Sequence, residues 1–214
     1  MDRGLSALVL GLYRRLAEAK IPGFAEAVPA FRSLTVHYDP LAASYQQIKA
    51  AIENLLQDLA PVKTAGRLWK LPVCYEGDCA PDLPEVAERT KLTTNEVVTL
   101  HSSATYFVYM LGFLPGFPYM GDLPTKLYLP RRENPRIKVP MGSVSIAMNQ
   151  TSIYSLESPG GWNLIGRTPM RLFDPQRNPC NLLEAGDEVK FEPISRTQFD
   201  ALERQAGGEK ASVR

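Results

Sequence analysis

Histidine and cysteine are scarce in this 214-residue chain: His37 and His101 are the only imidazoles, and Cys74, Cys79 and Cys180 the only thiols. An odd number of cysteines with no Cys-x-x-Cys pair argues against a disulfide framework and fits a reducing compartment, so a cytoplasmic location is expected. Two distant histidines and no clustered cysteines or carboxylates predict no transition-metal site. A dominant charge is missing too, since 24 Lys and Arg stand against 23 Asp and Glu, a formal net charge of +1. Such a chain has no global field to draw in nucleic acid or an anionic membrane, and neither is an expected partner. The apolar run Ala7 to Leu12 is too short for the core of a secretory leader, and nothing approaches the ~18 residues of a membrane span. There is no Gly-x-Ser-x-Gly elbow and no Gly-x-x-x-x-Gly-Lys-Ser/Thr loop, so neither a hydrolase nucleophile nor a self-sufficient ATP site is legible.

What is present is a globular composition, 44% apolar and 22% charged, with two kinds of periodicity. Leu5, Leu8, Leu12 and Leu16 recur at helical spacing until Pro22-Gly23 ends the segment. Leu34, Val36 and Tyr38 share one side of a strand over 31–38, and Asp39-Pro40 turns the chain. A second helix carries Tyr45, Ile48, Ile52, Leu55, Leu56 and Leu59 and is closed by Pro61; then Trp69, Leu71, Val73 and Tyr75 alternate. This order predicts a small α+β unit. Two short helices are expected between Pro81 and Leu100, the second opened by a capping box of Thr93 and Glu96 with Leu92 and Val97 as a staple. Beyond Tyr106, short strands over 106–113, 143–148, 153–156, 170–173 and 188–191 are punctuated by Gly and Pro, as in a barrel or sandwich. The polar end, including Gly207 and Gly208, is expected to fray.

The densest chemistry falls between Gly112 and Thr168. The segment from Leu111 to Gly121 alternates rings with turn residues, so Phe113, Phe117 and Tyr119 line either an apolar cavity, a partner groove or a core loop. Arg131, Arg132 and Arg136, set among Pro130, Pro135 and Pro140, suit capture of a carboxylate or phosphate; the plainer readings are a solvated basic loop, or pairing with carboxylates such as Glu133 or Asp174. Gln150, Thr151 and Tyr154 offer donors and acceptors for a small amide or acid, or else cap their loop. Ser158-Pro-Gly-Gly-Trp162 brings flexible backbone amides beside a rigid indole, or forms a tight hairpin round a core tryptophan. His101 is the candidate general acid or base, although a lone histidine is more often structural.

These stretches resemble the 5-oxoprolinase B-subunit family, whose relatives include KipI-type kinase inhibitors and allophanate hydrolase subunit 1. The resemblance rests on Pro22-Gly-Phe, Tyr38-Asp-Pro, Leu71-Pro-Val-Cys-Tyr75, Pro81-Asp-Leu and Glu85-Val-Ala. It tightens over His101, Tyr109-Met-Leu-Gly-Phe113, Pro115-Gly-Phe-Pro-Tyr119, Pro130-Arg-Arg132, Pro135-Arg136, Gln150-Thr151, Ser158-Pro-Gly-Gly-Trp162, Ile165-Gly-Arg-Thr-Pro169 and Phe173-Asp174. It implies a ferredoxin-like domain over 1–68, a cyclophilin-like β-barrel domain over 69–195 and a polar tail over 196–214. It also implies one component of a multi-subunit 5-oxoprolinase, which joins the A and C components to open 5-oxo-L-proline to L-glutamate with consumption of ATP and is inactive alone. A kinase-inhibiting relative, which binds a histidine kinase, supplies the competing class.

Two departures from the family pattern matter. The resembled family opens with a strand before the first helix, so one strand of the N-terminal sheet is expected to be missing, with an exposed edge as the result. Met148, Asn149 and Ser152 stand where the family has glycines, and Ser155 where it has proline; added bulk there is expected to narrow the pocket.

Overall fold

The computed structural model describes residues 2–57, 59 and 66–208, and the chain divides into two compact units, Met1–Gly66 and Arg67–Arg214. In the first, helix α1 (Arg3–Glu18) starts where the Asp2 carboxylate accepts the Leu5 N–H at 3.0 Å. Strands β1 (Phe24–Pro29) and β2 (Leu34–Tyr38) pair antiparallel, and α2 (Tyr45–Leu56) follows, opened by a Ser44/Gln47 capping box. Leu12, Leu16 and Ala27 form its core with Phe24, Val36 and Ile52. The Arg15 guanidinium donates to the Leu55 and Gln57 carbonyls (2.8 and 3.1 Å), supplying charge and donors where the last turn of α2 leaves carbonyls open. Strand β1 was not expected. Among its residues only Ala27 is buried, so no alternation marks it. The proline expected to close the second helix, Pro61, lies outside the described residues.

The second unit is a closed seven-stranded barrel with helices and a ribbon attached. Its elements are β3 (Leu68–Cys74), α3 (Leu83–Thr90), α4 (Thr94–Ser103), β4 (Thr105–Leu111) and β5 (Pro118–Gly121). There follow β6 (Arg136–Val139), β7 (Ser143–Ala147), β8 (Gln150–Ile153), β9 (Ser158–Gly160), β10 (Asn163–Arg167), β11 (Glu188–Ile194) and α5 (Arg196–Gly208). The barrel order is β10-β3-β11-β4-β5-β8-β7, closed by β7 pairing with β10; β3 and β11 are parallel, and β6 pairs with β9 as a separate ribbon. Val73, Val108, Met120, Ile146, Ile165 and Phe191 are among the side chains that fill the barrel. The Thr93/Glu96 capping box opens α4 as the sequence predicts.

Several expectations need correction. The strand read from Trp69 belongs to the barrel. Residues 170–173 form no strand, only a bridge between Phe173 and Asn181, while 154–156 lie beyond β8. Strands β5, β9 and β10 were unseen because Pro118, Pro159 and Gly166 break their alternation, and β6 because it is only four residues long between Pro135 and Pro140. The polar stretch after 195 is helical to Gly208, because Phe199 is buried against Cys74 and Cys79. No helix among the described residues is long and apolar enough to cross a membrane.

His101 is placed by α4 inside this core, wholly buried and stacked on Phe191 at 4.7 Å. Thr151 Oγ1 donates its one proton to the Ser145 carbonyl, so it accepts from His101 Nε2–H at 2.9 Å; Tyr75 O–H then donates to Nδ1 at 2.8 Å. Both ring nitrogens are engaged by neutral groups, and burial pushes the imidazole pKa down to about 3. The unfolded chain protonates this group near 6.5, so the stability it confers is complete above that pH and drains away as pH falls from 6.5 toward 3. Urea titration should show wild-type stability declining over that window by up to about 1.4 kcal/mol per pH unit on this account. His101→Phe should be less stable at pH 7 but flatter with pH; an equally steep profile would assign the acid sensitivity to other groups.

Candidate functional site

The cleft is built on segments that leave or enter the barrel strands β5, β8 and β10, together with the proline-rich segment before β6. It has a volume of about 290 Å³ and is lined by Phe113, Phe117, Tyr119, Tyr154 and Trp162, by Arg131, Arg132 and Pro135, and by Pro159, Gly160 and Gly161. Phe117 is the hub. Its ring meets Tyr119, Tyr154, Phe113 and Trp162 edge to face with centroids 5.1, 5.2, 5.4 and 6.1 Å away, a mutually supporting set that holds each ring in one orientation. Phe113 sits at φ 67°, where Leu114 N–H donates to the Gly112 carbonyl at 2.8 Å, so a tight turn thrusts an aromatic ring that is 61% exposed over the rim.

Gly160 explains why the loop carries glycine. A Cβ there would stand 2.1 Å from the Tyr154 hydroxyl and 2.6 Å from its ring, so the tyrosine lies flat against bare backbone. The Tyr154 hydroxyl also accepts the backbone N–H of Trp162, and burial raises its pKa, as it does that of Tyr119. Both phenols therefore stay neutral donors at physiological pH.

The three arginines play different parts. Asp82, 3% exposed, stands at the N-cap of α3 but does not cap it. Its Oδ2 accepts the Leu164 N–H at 2.7 Å, while its Oδ1 accepts from Arg132 at 3.2 Å and from Arg136 in a shorter contact. Arg132 also donates to Glu85 at 2.8 Å, which holds the Glu85 carboxyl below its ordinary range. Arg131 differs: its guanidinium lies 5.8 Å from the Trp162 ring centroid, and among the described residues no carboxylate pairs with it. Of the three, Arg131 and Arg132 line the cleft and Arg136 does not, while the buried carboxylate of Asp82, which must be compensated, is shared by Arg132 and Arg136. The partners are Asp82 and Glu85 rather than Glu133 or Asp174; Asp174 lies 3.9 Å from Arg171.

Residues 1–183 match the family model for the carboxyltransferase domain, subdomain C and D. The 5-oxoprolinase B subunit of Bacillus subtilis (strain 168) is 42% identical over 202 residues, covering 89% of this chain and 84% of the relative. That of Escherichia coli O157:H7 is 42% identical over 182 residues, covering 84% and 83%. The chain belongs to the 5-oxoprolinase B-subunit family. Among solved structures, TTHA0988 superposes with a TM-score of 0.82 at 38% identity, covering 91% of this chain and 38% of that longer one. The conserved uncharacterized protein PH0987 from Pyrococcus horikoshii superposes at 0.61 with 40% identity, covering 92% and 90%.

For a member of this family, the polar trio is divided. Tyr154 lines the cleft; Thr151 is buried and spent on His101 and the Ser145 carbonyl; Gln150 begins β8 without lining the cleft. His101 is withdrawn as a catalytic candidate, since both its nitrogens are engaged in the barrel interior. Met148, Asn149, Ser152 and Ser155 do not narrow the cleft either: none lines it among the described residues, and Ser152 is buried with its hydroxyl on the Pro118 carbonyl. Met148 instead occupies the left-handed turn between β7 and β8 at φ 54°, a conformation a glycine adopts freely. Asp82 and Glu85 are the site residues that sequence reading missed, being some 50 positions from the arginines they hold.

This division gives opposite expectations for two neighbouring arginines. Arg136→Ala leaves Asp82 with one guanidinium and should lower stability by about 1 to 3 kcal/mol in a denaturant titration. Arg131→Ala should change stability by less than about 0.5 kcal/mol, as for other surface changes.

Proposed function

We propose that this chain is the B component of an ATP-dependent 5-oxoprolinase, acting with the A and C components to open 5-oxo-L-proline to L-glutamate, and that the aromatic cleft is where it meets the ligand. The observation that carries the site is a cation unpaired by any described carboxylate, Arg131, held against an apolar wall of Phe117 and Trp162. A small ring bearing one carboxylate matches that pairing: the guanidinium takes the carboxylate and the rings cover the hydrocarbon. Tyr154 and the backbone of Gly160 and Gly161 are the polar groups left to face the lactam. ATP-coupled amide opening is understood as phosphorylation of the amide oxygen, and the charge that develops needs preorganised donors. Nothing in the cleft has the makings of a phosphate loop, so we place the nucleotide with another component.

Two lines favour the enzyme over a KipI-like inhibitor of a histidine kinase. The relatives bear the name of an enzyme component, and structures such as TTHA0988 carry this fold within a longer chain, as expected of a piece that works in an assembly. We also read the first unit as ferredoxin-like: its α-β-β-α order is the middle of a βαββαβ unit, with the two helices joined to a two-stranded sheet.

The purified chain alone should give no ATP-dependent release of glutamate, and adding the A and C components should restore it. In that complex Arg131→Ala should lower kcat/KM by about 10- to 100-fold, the loss of one charge-assisted hydrogen bond. Turnover by the isolated chain would refute the division of labour, and an unaltered Arg131→Ala complex would refute the site.

A further inference from the structure

The clamp on Asp82 also sets what the cleft can accept. Arg131 and Arg132 separate the aromatic cleft from a second, polar cleft of about 330 Å³ lined by Glu85, Arg89, Pro130, Glu133 and Asn134 along with the two arginines. Around this pair, Arg132 and Arg136 are neutralised by Asp82 and Glu85, and Glu85 is shared with Arg89 at 3.3 Å. One guanidinium, that of Arg131, remains without a described carboxylate partner.

We propose that Asp82 and Glu85 are specificity-determining positioning residues: by engaging Arg132 and Arg136 they leave the cleft a single available cation and so tune it to singly charged ligands and against polyphosphates. A polyanion entering here would need a second uncompensated charge; Arg132 Nε and Arg136 Nη1 have no partner among the described residues, but the charge of each guanidinium is already balanced by a carboxylate. In the second cleft Glu85 and Glu133 stand beside Arg89, Arg131 and Arg132, so carboxylates there offset most of the guanidinium charge that a polyanion would meet. A single carboxylate needs only Arg131, whose guanidinium carbon already lies 5.8 Å from the Trp162 ring centroid. This inference rests on the cleft proposed above, but the charge rule is separable from the identity of the lactam.

Calorimetric titration of the full chain with 5-oxo-L-proline and with inorganic pyrophosphate tests it. Wild type should bind pyrophosphate at least about 10-fold more weakly than the lactam acid, because one uncompensated cation matches a single carboxylate and leaves the further charges of pyrophosphate unmatched. Glu85→Gln should strengthen pyrophosphate binding by about fivefold, and the Glu85→Gln/Arg131→Ala double variant should abolish the gain. Asp82→Asn, if circular dichroism shows it folded, should do the same, while Asp82→Glu restores the wild-type preference; should Asp82→Asn unfold, the half-exposed Glu85 still decides the matter. Equal pyrophosphate affinity in wild type and Glu85→Gln, or a wild type that prefers pyrophosphate, would overturn the proposal. Failure of the lactam to bind, with Arg131→Ala silent in the complex, would remove the functional reading, whereas the pyrophosphate ratios read the charge rule by themselves.

Discussion

Asp82 accepts hydrogen bonds from Leu164 N–H, Arg132 and Arg136 with a carboxylate almost wholly removed from solvent. A charge buried this deeply is tolerated only when every lone pair finds a donor, and here the donors come from β10 and from the proline-rich segment. The backbone reinforces the link, for the Asp82 N–H donates to the Leu164 carbonyl at 3.0 Å. One side chain thus joins the start of α3 to the strand that follows Trp162 and to the loop that carries Arg131. The walls of the cleft are held in place from behind by this junction. It also accounts for an N-cap aspartate that leaves its helix uncapped, because its oxygens are engaged elsewhere.

The front of the cleft is held by shape. Phe117 keeps four other rings steeply inclined to its own plane, and Gly160 lets Tyr154 lie against the main chain. Further support comes from the Arg132 N–H bonding the Gly161 carbonyl at 2.7 Å, which ties the glycine loop to the arginine loop. Asn163, fully buried, donates to the carbonyls of Pro130 and Ile146 and so fixes the same loop to the barrel. These contacts run between segments that are far apart in sequence, and they make a rigid pocket out of three stretches with little regular structure of their own.

Local signals carried the parts of the fold that local chemistry decides. The heptad-like leucines of α1, the reciprocal capping of Thr93 and Glu96, and the alternation of β3 and β11 were all readable because each depends on neighbours within a few residues. The short strands β5, β9 and β10 were not, because proline and glycine erase the period while pairing partners in the closed barrel still hold them extended. At the site, the aromatic residues and Arg131, Tyr154 and Trp162 were legible as unusual chemistry in a turn-rich stretch. Which arginine is available was illegible, since it depends on a carboxylate contributed from 50 residues away. For His101 and Thr151 the residue types suggested reactivity, and only the barrel's interior reveals that they satisfy each other.

The chemistry of the cleft is lopsided in a way that bears on how such a component works. Its described lining offers two guanidinium groups, one of them paired with carboxylates, two phenols whose pKa values are raised by burial, and backbone amides, all of them groups that bind or donate hydrogen bonds. A general base needs a pKa near the working pH, and the imidazole that sequence alone would nominate is displaced to about 3 by burial. A site so composed can grip an acid and polarise a carbonyl, yet it supplies neither proton acceptor nor nucleophile from its described lining. In the proposed assembly, then, this chain contributes orientation and electrostatic stabilisation, and the reacting groups arrive on a partner. That arrangement explains why a rigid pocket is worth building from long-range contacts: orientation is the part of catalysis that a misplacement of about 1 Å can ruin about 100-fold, and the Asp82 junction is what prevents it.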